Sequence, residues 1–331
     1  MKILVIHTFG LGDMIMFSPA LKSMIRKYPE IRIDFLILQK VSAEPIKYFR
    51  DINEIFFFEK SLRRNLTLLK NLRANDYDYI LHTSGTSILK MSIMMLLLKG
   101  NQKIGEYRHI KIPWYKKQIQ LLENRHRVES NIEIVNLITQ DSSFDEKPFF
   151  CLQNENYKFA NDYLDKFKEK VLIGIHPGCN EKFANKRWEL EKYIELIRKL
   201  SNKDQDIKFF IFIGPDEKQV GYNLKKVIKD IELVENTLDN TAALISKMNL
   251  FTTNDSGLGH IASCFDIDTL TIFSKNTHAN PNKIFPYSKN SHIIDFRIMK
   301  DYKNEVDTVY EKIINILSNT TIPKINKIKE K

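Results

Sequence analysis

The 331-residue sequence has few cysteines and no long apolar segment. Its three cysteines, Cys151, Cys179 and Cys264, are odd in number and widely spaced, which fits neither a disulfide framework nor a zinc site. The longest largely apolar run, residues 91–98, is far shorter than the roughly twenty residues that a membrane-spanning helix needs. The first residues also lack the pattern of a signal peptide, because only a short apolar run precedes the polar His7. These absences predict a protein of the reducing cytoplasm with no membrane-spanning segment.

Signatures of several other function classes are absent as well. The sequence has no RNP, zinc-finger or helix-turn-helix pattern, which argues against nucleic acid as a partner, and no serine in a G-x-S-x-G elbow. Two D-x-D triplets, Asp76-Tyr77-Asp78 and Asp266-Ile267-Asp268, lie beside predicted strands, where such residues are typical of turns. We therefore predict neither an essential metal nor another cofactor.

The charge, by contrast, is strongly unbalanced. The sequence has 51 Lys and Arg against 41 Asp and Glu, a formal net charge of +10, and such an excess is typical of a protein with an anionic partner. An anionic membrane surface and a phosphorylated lipid or sugar explain the excess equally well. A lysine-rich solvated surface is the third interpretation.

Apolar strand-like runs alternate with helical patterns in both halves of the chain. The runs lie at residues 3–6, 31–38, 54–58 and 79–82, and then at 171–176, 207–213, 250–253 and 269–273. This alternation predicts an α/β protein with parallel sheets covered on both faces. Residues 142–156 lose the periodicity and carry Pro148, which predicts a linker between a domain at 1–150 and a second at 151–319, followed by a basic tail at 320–331. Because open α/β sheets bind ligands at the carboxyl ends of their strands, we expect functional residues there.

The stretch HTFGLGDM, residues 7–14, joins the first predicted strand to a helix. Such a turn is where α/β proteins bring backbone N–H groups to a ligand. A dinucleotide fingerprint is excluded, because Gly10-Leu11-Gly12 is followed by Asp13 and the next strand ends in Gln39-Lys40 without an acid. The carboxylate of Asp13 would also repel phosphate. We therefore predict that this turn presents the carboxylate and that phosphate binds elsewhere.

The second half opens with a basic loop in IGIHPGCNEKFANKRW, residues 173–188. Asn180 offers an amide, and Lys182, Lys186 and Arg187 bring three cations to one strand end. Lysine as a point charge and arginine as a bidentate fork suit a diphosphate. An ordinary solvated basic loop is the alternative.

Two further strand ends in this half carry polar residues. In FTTNDSGLGHIAS, residues 251–263, Ser256-Gly257 leads a helix that carries His260, and its small residues allow backbone N–H groups to approach a phosphate; a structural role is the alternative for His260. In FFIFIGPDEKQ, residues 209–219, Glu217 follows a buried strand. An acid there holds ribose hydroxyls or caps the next helix, and the sequence leaves both open.

Three motifs together resemble the heptosyltransferase family, glycosyltransferase family nine. They are LGDMIMFSPALKSM, HPGCNEKFANKRWELEKYIELI and TTNDSGLGHIA, and their order and spacing span most of the chain. The resemblance implies a GT-B fold, in which two Rossmann-like parallel-sheet domains face each other across a cleft, the first binding the acceptor and the second the nucleotide sugar. It implies an inverting, metal-independent transfer of a sugar, by family default heptose from ADP-heptose, to a lipopolysaccharide or lipooligosaccharide core or a related surface-glycan acceptor.

The same resemblance implies roles for individual residues. Asp13 corresponds to the acid of the family's L-G-D turn, the general base toward the acceptor hydroxyl, and Gly10 and Gly12 let that turn approach the acceptor side of the cleft. Lys186 corresponds to the family's phosphate-binding lysine. The family's D-[ST]-G-x-x-H turn, which faces the nucleotide diphosphate and sugar, corresponds to Asp255, Ser256, Gly257 and His260. Asn180 stands where the family usually has a phosphate-contacting Ser or Thr, and Glu217 stands near its ribose-contacting acid.

The sequence departs from the family pattern in three places. Many relatives carry Gly-Pro where this chain has Ser274-Lys275, and they often carry an acid at the strand position Leu81-His82. Residues 276–287, near the expected donor site, are rich in Asn and Lys. A nucleotide sugar other than ADP-heptose therefore stays open.

The expected acceptor side of the first domain is basic and partly aromatic. The residues are Lys60, Arg63, Arg64, Arg108, His109, Lys111, Lys116 and Lys117, with Trp114 and Tyr115 among them. This patch is a candidate for binding a phosphorylated lipid-linked saccharide, with the cytoplasmic protein peripheral on the inner face of the inner membrane. A solvated face is again the alternative.

Two rival functions remain beside the transferase. A GT-B sugar-nucleotide epimerase would need more acids and histidines around the sugar than the sequence offers. A degenerate paralogue would bind a nucleotide or glycolipid without turnover, and the presence of Asp13, Lys186 and His260 together argues against such decay.

Overall fold

The computed structural model describes residues 1–85, 87–141, 147–179, 181–203, 206–300 and 304–319, except for the side chains of 181–183 and 216. The chain divides into two compact units, Met1–Cys151 with Asn282–Ile284, and Leu152–Pro281 with Phe285–Lys331. Asn180 and the predicted basic tail at 320–331 lie outside the described residues.

The first unit is built on a six-stranded sheet. Its strands are β1 (Lys2–His7), β2 (Arg32–Ile37), β3 (Ile52–Phe57), β4 (Tyr77–His82), β5 (Gly100–Tyr107) and β6 (Lys117–Gln120), in the order β3-β2-β1-β4-β5-β6. Its helices are α1 (Leu11–Lys27), α2 (Leu62–Ala74), α3 (Ile88–Leu97) and α4 (Arg127–Thr139). All the strand pairs are parallel.

The second unit repeats this plan. Its strands are β7 (Val171–His176), β8 (Ile207–Phe212), β9 (Ile231–Val234), β10 (Leu250–Asn254), β11 (Asp268–Phe273) and β12 (Ser291–Asp295), in the order β12-β11-β10-β7-β8-β9 and again all parallel. Its helices are α5 (Asn154–Leu164), α6 (Leu190–Lys203), α7 (Lys218–Val227), α8 (Leu238–Ile245), α9 (Gly257–Ala262) and α11 (Glu305–Asn319), whereas three of the four residues of α10 (Pro281–Ile284) belong to the first unit. The predicted α/β class with parallel sheets is confirmed.

The central strands have continuous apolar sequences because both faces of each sheet are covered. In β1, KILVIH, five of the six residues are buried, and in β7 and β8 all six are. The core of the second unit includes Trp188 and Tyr193, whose rings meet edge to face at 4.9 Å. In the part of the chain that the structure describes, no helix combines the length and apolarity needed to cross a bilayer.

Four strands and one helix start were not predicted from the sequence. β5 is mostly polar and buries only its last part, including Glu106, while β6, β9 and β12 have four or five residues each. The predicted linker at 142–156 runs too far, because α5 already begins at Asn154. Gln153 donates its backbone N–H to the Asn156 side chain, 3.0 Å away, and such polar caps conceal a helix start from a search for apolar periodicity.

Candidate active site

Three of the predicted site residues, Asp13, Lys186 and Asp255, follow strands at which the strand order of a sheet reverses. The reversal falls between β1 and β4 in the first sheet and between β7 and β10 in the second. Loops that leave the strands on either side of such a point diverge and form a ligand-binding crevice. Asp13 follows β1, Lys186 follows β7 and Asp255 follows β10. These three residues thus lie at the place in the sheet of their own unit where α/β proteins bind ligands, whereas Glu217 follows β8, one strand away from the reversal.

Asp13 is held by an arginine that the sequence analysis did not single out. Asp13 lies in the first turn of α1, and its carboxylate accepts a hydrogen bond from the guanidinium of Arg127, the first residue of α4. The guanidinium also lies over the ring of Phe9, 5.4 Å from its centroid. It fills the space beside Gly85, which has φ of +90° and where a Cβ would come within 2.7 Å of the arginine Nε. Asp13, with 18% of its side chain exposed, therefore has a fixed position and a counter-charge.

His7 supports the glycine turn from inside the unit. Its Nε2 lies 3.3 Å from the carbonyl oxygen of Gly10 and its Nδ1 lies 3.0 Å from the hydroxyl of Thr83. Burial lowers the pKa of His7, against the opposing effect of the Asp13 charge. The neutral ring has one donor and one acceptor, so the tautomer with a proton on Nε2 satisfies both contacts. His7 therefore joins the loop after β1 to the loop after β4.

A buried carboxylate, Glu106, fixes the loop after β4. It accepts hydrogen bonds from the Ser84 hydroxyl at 2.5 Å and the Gly85 N–H at 3.1 Å. The Ser84 N–H in turn donates to the Asn131 side chain of α4 at 2.7 Å. The backbone N–H of Glu106 donates to Nε2 of His82 at 3.2 Å. The loop after β4 is thus held by a buried carboxylate on the neighbouring strand β5.

In the second unit, Asn254 ties together the two ends of the loop after β7. Its Oδ1 accepts from the Trp188 N–H and the Tyr193 hydroxyl, both at 3.0 Å. Its Nδ2 donates to the carbonyls of Pro177 at 2.8 Å and Gly178 at 3.2 Å. The side chain is fully buried at the end of β10. One amide therefore fixes the loop that carries Lys186.

Lys186 meets the turn after β10. Its Nζ lies 2.7 Å from a carboxylate oxygen of Asp255, and its carbonyl accepts from the Ser274 hydroxyl at 3.1 Å. Ser256 precedes α9, which begins at Gly257 as predicted, and its hydroxyl lies 2.9 Å from that of Thr253. The structure therefore brings Lys186 to the turn that carries Asp255, Ser256 and Gly257, and it buries His260 in the helix that follows.

Of the other predicted cations of the loop, the structure describes the side chain of Arg187. Arg187 donates to the carbonyl of Cys179 at 2.8 Å and so braces its own loop. Lys182 has a side chain outside the described residues.

Glu217 adopts the helix-capping arrangement that the sequence left open. Its carboxylate accepts from the Gly214 N–H at 2.8 Å and lies 3.6 Å from Nδ1 of His176. It is buried and lies so close to Gly178 that a Cβ there would overlap it. Contact with a ribose stays a prediction.

Lys275, one of the two residues at which the sequence departs from the Gly-Pro of the family pattern, pairs with Glu305. The carboxylate of Glu305, at the start of α11, accepts from the indole of Trp188 and from the ammonium groups of Lys192 and Lys275, each at 2.8 Å. Burial alone would raise the pKa of Glu305, but the hydrogen bonds from Lys192, Lys275 and Trp188 outweigh it and lower the pKa to about 2. Lys275 thus joins an ion-pair cluster beneath the loop of Lys186.

This cluster predicts an acid-sensitive second unit. The pKa of Glu305 is lower in the folded protein than its ordinary value of 4.5, so the ionised carboxylate stabilises the fold when the pH is above 4.5. This stabilisation is lost as the pH falls towards 2. We expect Glu305→Gln to remove about 1–2 kcal/mol of stability at pH 7, after allowance for solvent screening, and little at pH 2. Urea denaturation across this range measures the difference. Glu311→Gln, an exposed glutamate on the same helix, is the control and should show no such pH dependence; equal profiles for both variants would contradict the assignment.

Comparisons with known proteins identify the family of this chain. The model of a family described as glycosyltransferase family 9 (heptosyltransferase) matches residues 65–314. The chain belongs to this family. Lipooligosaccharide heptosyltransferase 2 of Campylobacter jejuni is 27% identical over 292 residues, which cover 85% of this chain and 84% of the relative.

Solved structures of family 9 share the fold. The family 9 glycosyltransferase of Veillonella parvula has a TM-score of 0.77 at 18% identity, covering 96% of this chain and 97% of that one. The Escherichia coli ADP-heptose lps heptosyltransferase II has a TM-score of 0.74 at 20% identity, covering 96% and 98%. The predicted GT-B fold type, with a Rossmann-like strand order in each unit, is confirmed, and the chain is a glycosyltransferase.

The basic patch predicted for the first unit differs in part from that prediction. Tyr115 is buried in the first unit's core rather than exposed, Lys117 donates to the Leu137 carbonyl at 2.5 Å, and Arg64 pairs with Glu59 at 2.6 Å. The other predicted members are exposed: Lys60, Arg63, Arg108, His109, Lys111, Trp114 and Lys116. Within the described ranges, no three His, Cys, Asp or Glu side chains lie close enough together to hold a metal ion.

Proposed function

We propose that this family 9 glycosyltransferase transfers a heptosyl group from ADP-heptose to the core saccharide of a lipopolysaccharide or lipooligosaccharide, with inversion at the anomeric carbon and without a metal. The observation that carries the proposal is the chemistry at the two strand-order reversals. One holds a fixed carboxylate, Asp13, and the other holds a lysine against a turn rich in small residues. The names of the C. jejuni and E. coli relatives support the sugar, the nucleotide and the acceptor class.

Asp13 is the proposed general base of the first unit. It would take the proton of the acceptor hydroxyl as that oxygen forms a bond to the anomeric carbon and the bond from this carbon to the diphosphate breaks. Arg127 fixes the carboxylate, while His7 fixes the turn at Gly10 that precedes it. In this proposal, Gly10 and Gly12 keep the turn free of side chains that would obstruct the acceptor.

Lys186 is the proposed cation for the departing diphosphate in the second unit. Negative charge grows on that group as the glycosidic bond breaks, so a fixed ammonium stabilises the transition state more than the ground state. Asp255 keeps the ammonium in place at 2.7 Å. We assign Ser256, Gly257 and His260 to the same diphosphate and sugar, with Asn180 as a further phosphate contact and Glu217 as the contact to ribose. No step of this scheme uses a metal.

Binding of nucleoside diphosphates tests the donor side directly. We expect calorimetry with ADP, UDP, GDP and CDP, in the presence of EDTA, to show selective binding of ADP. Lys186→Ala should weaken that binding about 10- to 100-fold, because it removes one charge-assisted hydrogen bond. Lys218→Ala, which breaks the exposed pair with Glu235, is the matched control and should bind like the wild type.

Each other outcome has a definite meaning. Preference for another nucleotide would replace ADP-heptose as the donor and keep the transferase. Binding that requires a divalent metal would contradict the metal-independent scheme. Absence of binding to all four nucleotides would favour a paralogue that has lost donor binding.

A further inference from the structure

Helix α3 (Ile88–Leu97) exposes a stripe of large apolar side chains. Leu89, Ile93, Leu96 and Leu97 are between 47% and 72% exposed, and at 100° per residue they lie within about one third of the helix circumference. The opposite side packs Met91 and Met95 into the core of the first unit. The helix is therefore apolar on both its inner and its outer side, although water-exposed faces of helices are normally polar.

Two neighbouring segments extend this surface. The guanidinium of Arg73, in α2 (Leu62–Ala74), donates to the carbonyl of Leu97 at 2.8 Å, and α2 exposes two further leucines, Leu62 and Leu66. From another segment, the indole of Trp114 donates to the carbonyl of Ser92 at 2.9 Å. That segment, residues 108–117, also exposes Ile110. The helix that carries the stripe is thus contacted by Arg73 of α2 and by Trp114, and the segments of these two residues expose further apolar side chains.

The charge of these three segments has one sign. α2 carries four Lys and Arg residues, α3 one, and residues 108–117 another four, and none of the three segments contains Asp or Glu. They are Arg63, Arg64, Lys70, Arg73, Lys90, Arg108, Lys111, Lys116 and Lys117. Glu59, just before α2, pairs with Arg64, so the border is mainly basic. An apolar face bordered mainly by cations is the pattern of a surface that enters the interface of an anionic bilayer.

We propose that α3, with the adjoining faces of α2 and residues 108–117, is a docking surface for an anionic phospholipid bilayer. The apolar side chains of α3 would enter the boundary between headgroups and acyl chains, and the surrounding cations would contact the phosphates. Trp114, amphipathic and 37% exposed, has the character of an interfacial anchor. The surface includes Arg63, Arg108, Lys111 and Trp114 of the predicted acceptor patch, but its binding to phospholipid would need neither the donor nor the acceptor of the proposed transfer reaction.

The charges favour a membrane over a protein or nucleic acid. A second copy of the chain would bring the same cations together, and like charges at an interface repel. Nucleic acid would leave Leu89, Ile93 and Leu96 in contact with polar phosphate and water. An anionic bilayer satisfies both parts of the surface.

Flotation of the full-length protein with vesicles tests the proposal. Vesicles of phosphatidylethanolamine with phosphatidylglycerol are expected to bind the protein, and vesicles of phosphatidylcholine alone to bind it at least about tenfold more weakly. The triple variant Leu89→Ser, Ile93→Ser, Leu96→Ser should lose about tenfold or more of the binding to anionic vesicles. The matched control, Val227→Ser with Ile298→Ser, alters apolar side chains of similar exposure in the second unit and should bind like the wild type.

Tryptophan fluorescence locates the contact. The sequence has two tryptophans, and Trp188 is only 1% exposed, so a blue shift on addition of vesicles should come from Trp114 and disappear in Trp114→Phe. Lys90→Glu with Lys111→Glu should reduce vesicle binding and its dependence on salt. Nucleotide binding by every variant should match the wild type, which separates a loss of lipid binding from misfolding and from failure of the donor-site proposal.

Three results would overturn the proposal. They are wild-type protein that does not float with anionic vesicles, a triple variant that floats as well as the control, and Trp114 emission that stays unchanged when vesicles bind. Sedimentation without lipid tests the competing occupant of the surface, a second copy of the chain. A concentration-dependent dimer that the triple variant abolishes, together with no vesicle binding by the wild type or the variant, would assign the surface to that copy.

Discussion

Asp13→Asn is expected to lower kcat by about two to four orders of magnitude, the usual contribution of a general base. Asparagine has nearly the same shape and keeps an oxygen that can accept from Arg127, but it cannot take a proton from the acceptor hydroxyl. The affinity for nucleotide should stay unchanged, because the residues proposed to bind the donor belong to the second unit. Activity is followed as release of nucleoside diphosphate from the nucleotide sugar in the presence of acceptor.

Two variants make this result specific. Glu44→Gln breaks a comparable ion pair in the first unit, with Lys47, and should leave kcat within about twofold of the wild type. Arg127→Ala keeps the base and removes the group that orients it, so we expect a smaller loss, of about tenfold. Activity of Asp13→Asn within about tenfold of the wild type would assign the base to another residue, and Glu106, buried beside Gly85, would then be the next carboxylate to replace.

The difference between Asp13 and Arg127 shows how far the sequence reaches. Asp13 was predicted because its signal is local: a buried strand, two glycines and an acid at the start of a helix. Lys186 and Asp255 lie in loops that follow apolar runs, and the resemblance to family nine singles them out among the residues of those loops. Parallel strands covered on both faces have this strong pattern, and ligands bind at their carboxyl ends, so the fold class and these positions followed from short stretches.

The support around those residues has no such signal. Arg127 lies 114 residues from Asp13, in a helix with ordinary composition, and only the packing of α1 against α4 brings the two together. Glu106 belongs to a strand too polar to be recognised, because much of that strand is only partly buried. Glu217 illustrates another limit. The sequence fits both ribose binding and helix capping, and the contact with the Gly214 N–H depends on the orientation of the Glu217 side chain, which no local sequence pattern predicts.

Asn254 is the residue for which this hidden support should matter most to stability. Asn254→Ala leaves the Trp188 N–H, the Tyr193 hydroxyl and the Pro177 carbonyl without the partner they have now. Each buried polar group that loses its partner destabilises the fold by about 1–3 kcal/mol, and relaxation of the structure recovers part of this. We therefore expect the free energy of unfolding to fall by about 3–5 kcal/mol. Urea denaturation of the Trp114→Phe protein, followed by the fluorescence of Trp188, reports this at the loop itself.

A second residue on the same strand provides the control. Thr252 is fully buried, and its hydroxyl has no hydrogen-bond partner among the described residues. Thr252→Val keeps the shape of the side chain and removes this buried hydroxyl. We therefore expect the free energy of unfolding to stay unchanged or to rise by up to about 1 kcal/mol. If Thr252→Val and Asn254→Ala destabilise the unit equally, the loss reflects disturbance of β10 and not the hydrogen bonds of Asn254.

Asn254→Asp separates the stability of the unit from the placement of the lysine. Aspartate can still accept from Trp188 and Tyr193, but an ionised carboxylate cannot donate to the carbonyls of Pro177 and Gly178 and repels them. We therefore expect the end of the loop at Trp188 to stay fixed while the end at Gly178 moves away, with nucleotide affinity reduced about tenfold. An Asn254→Asp protein that binds nucleotide like the wild type would show that the start of the loop can move without displacing Lys186, which the contacts with Asp255 and Ser274 would then help to hold in place.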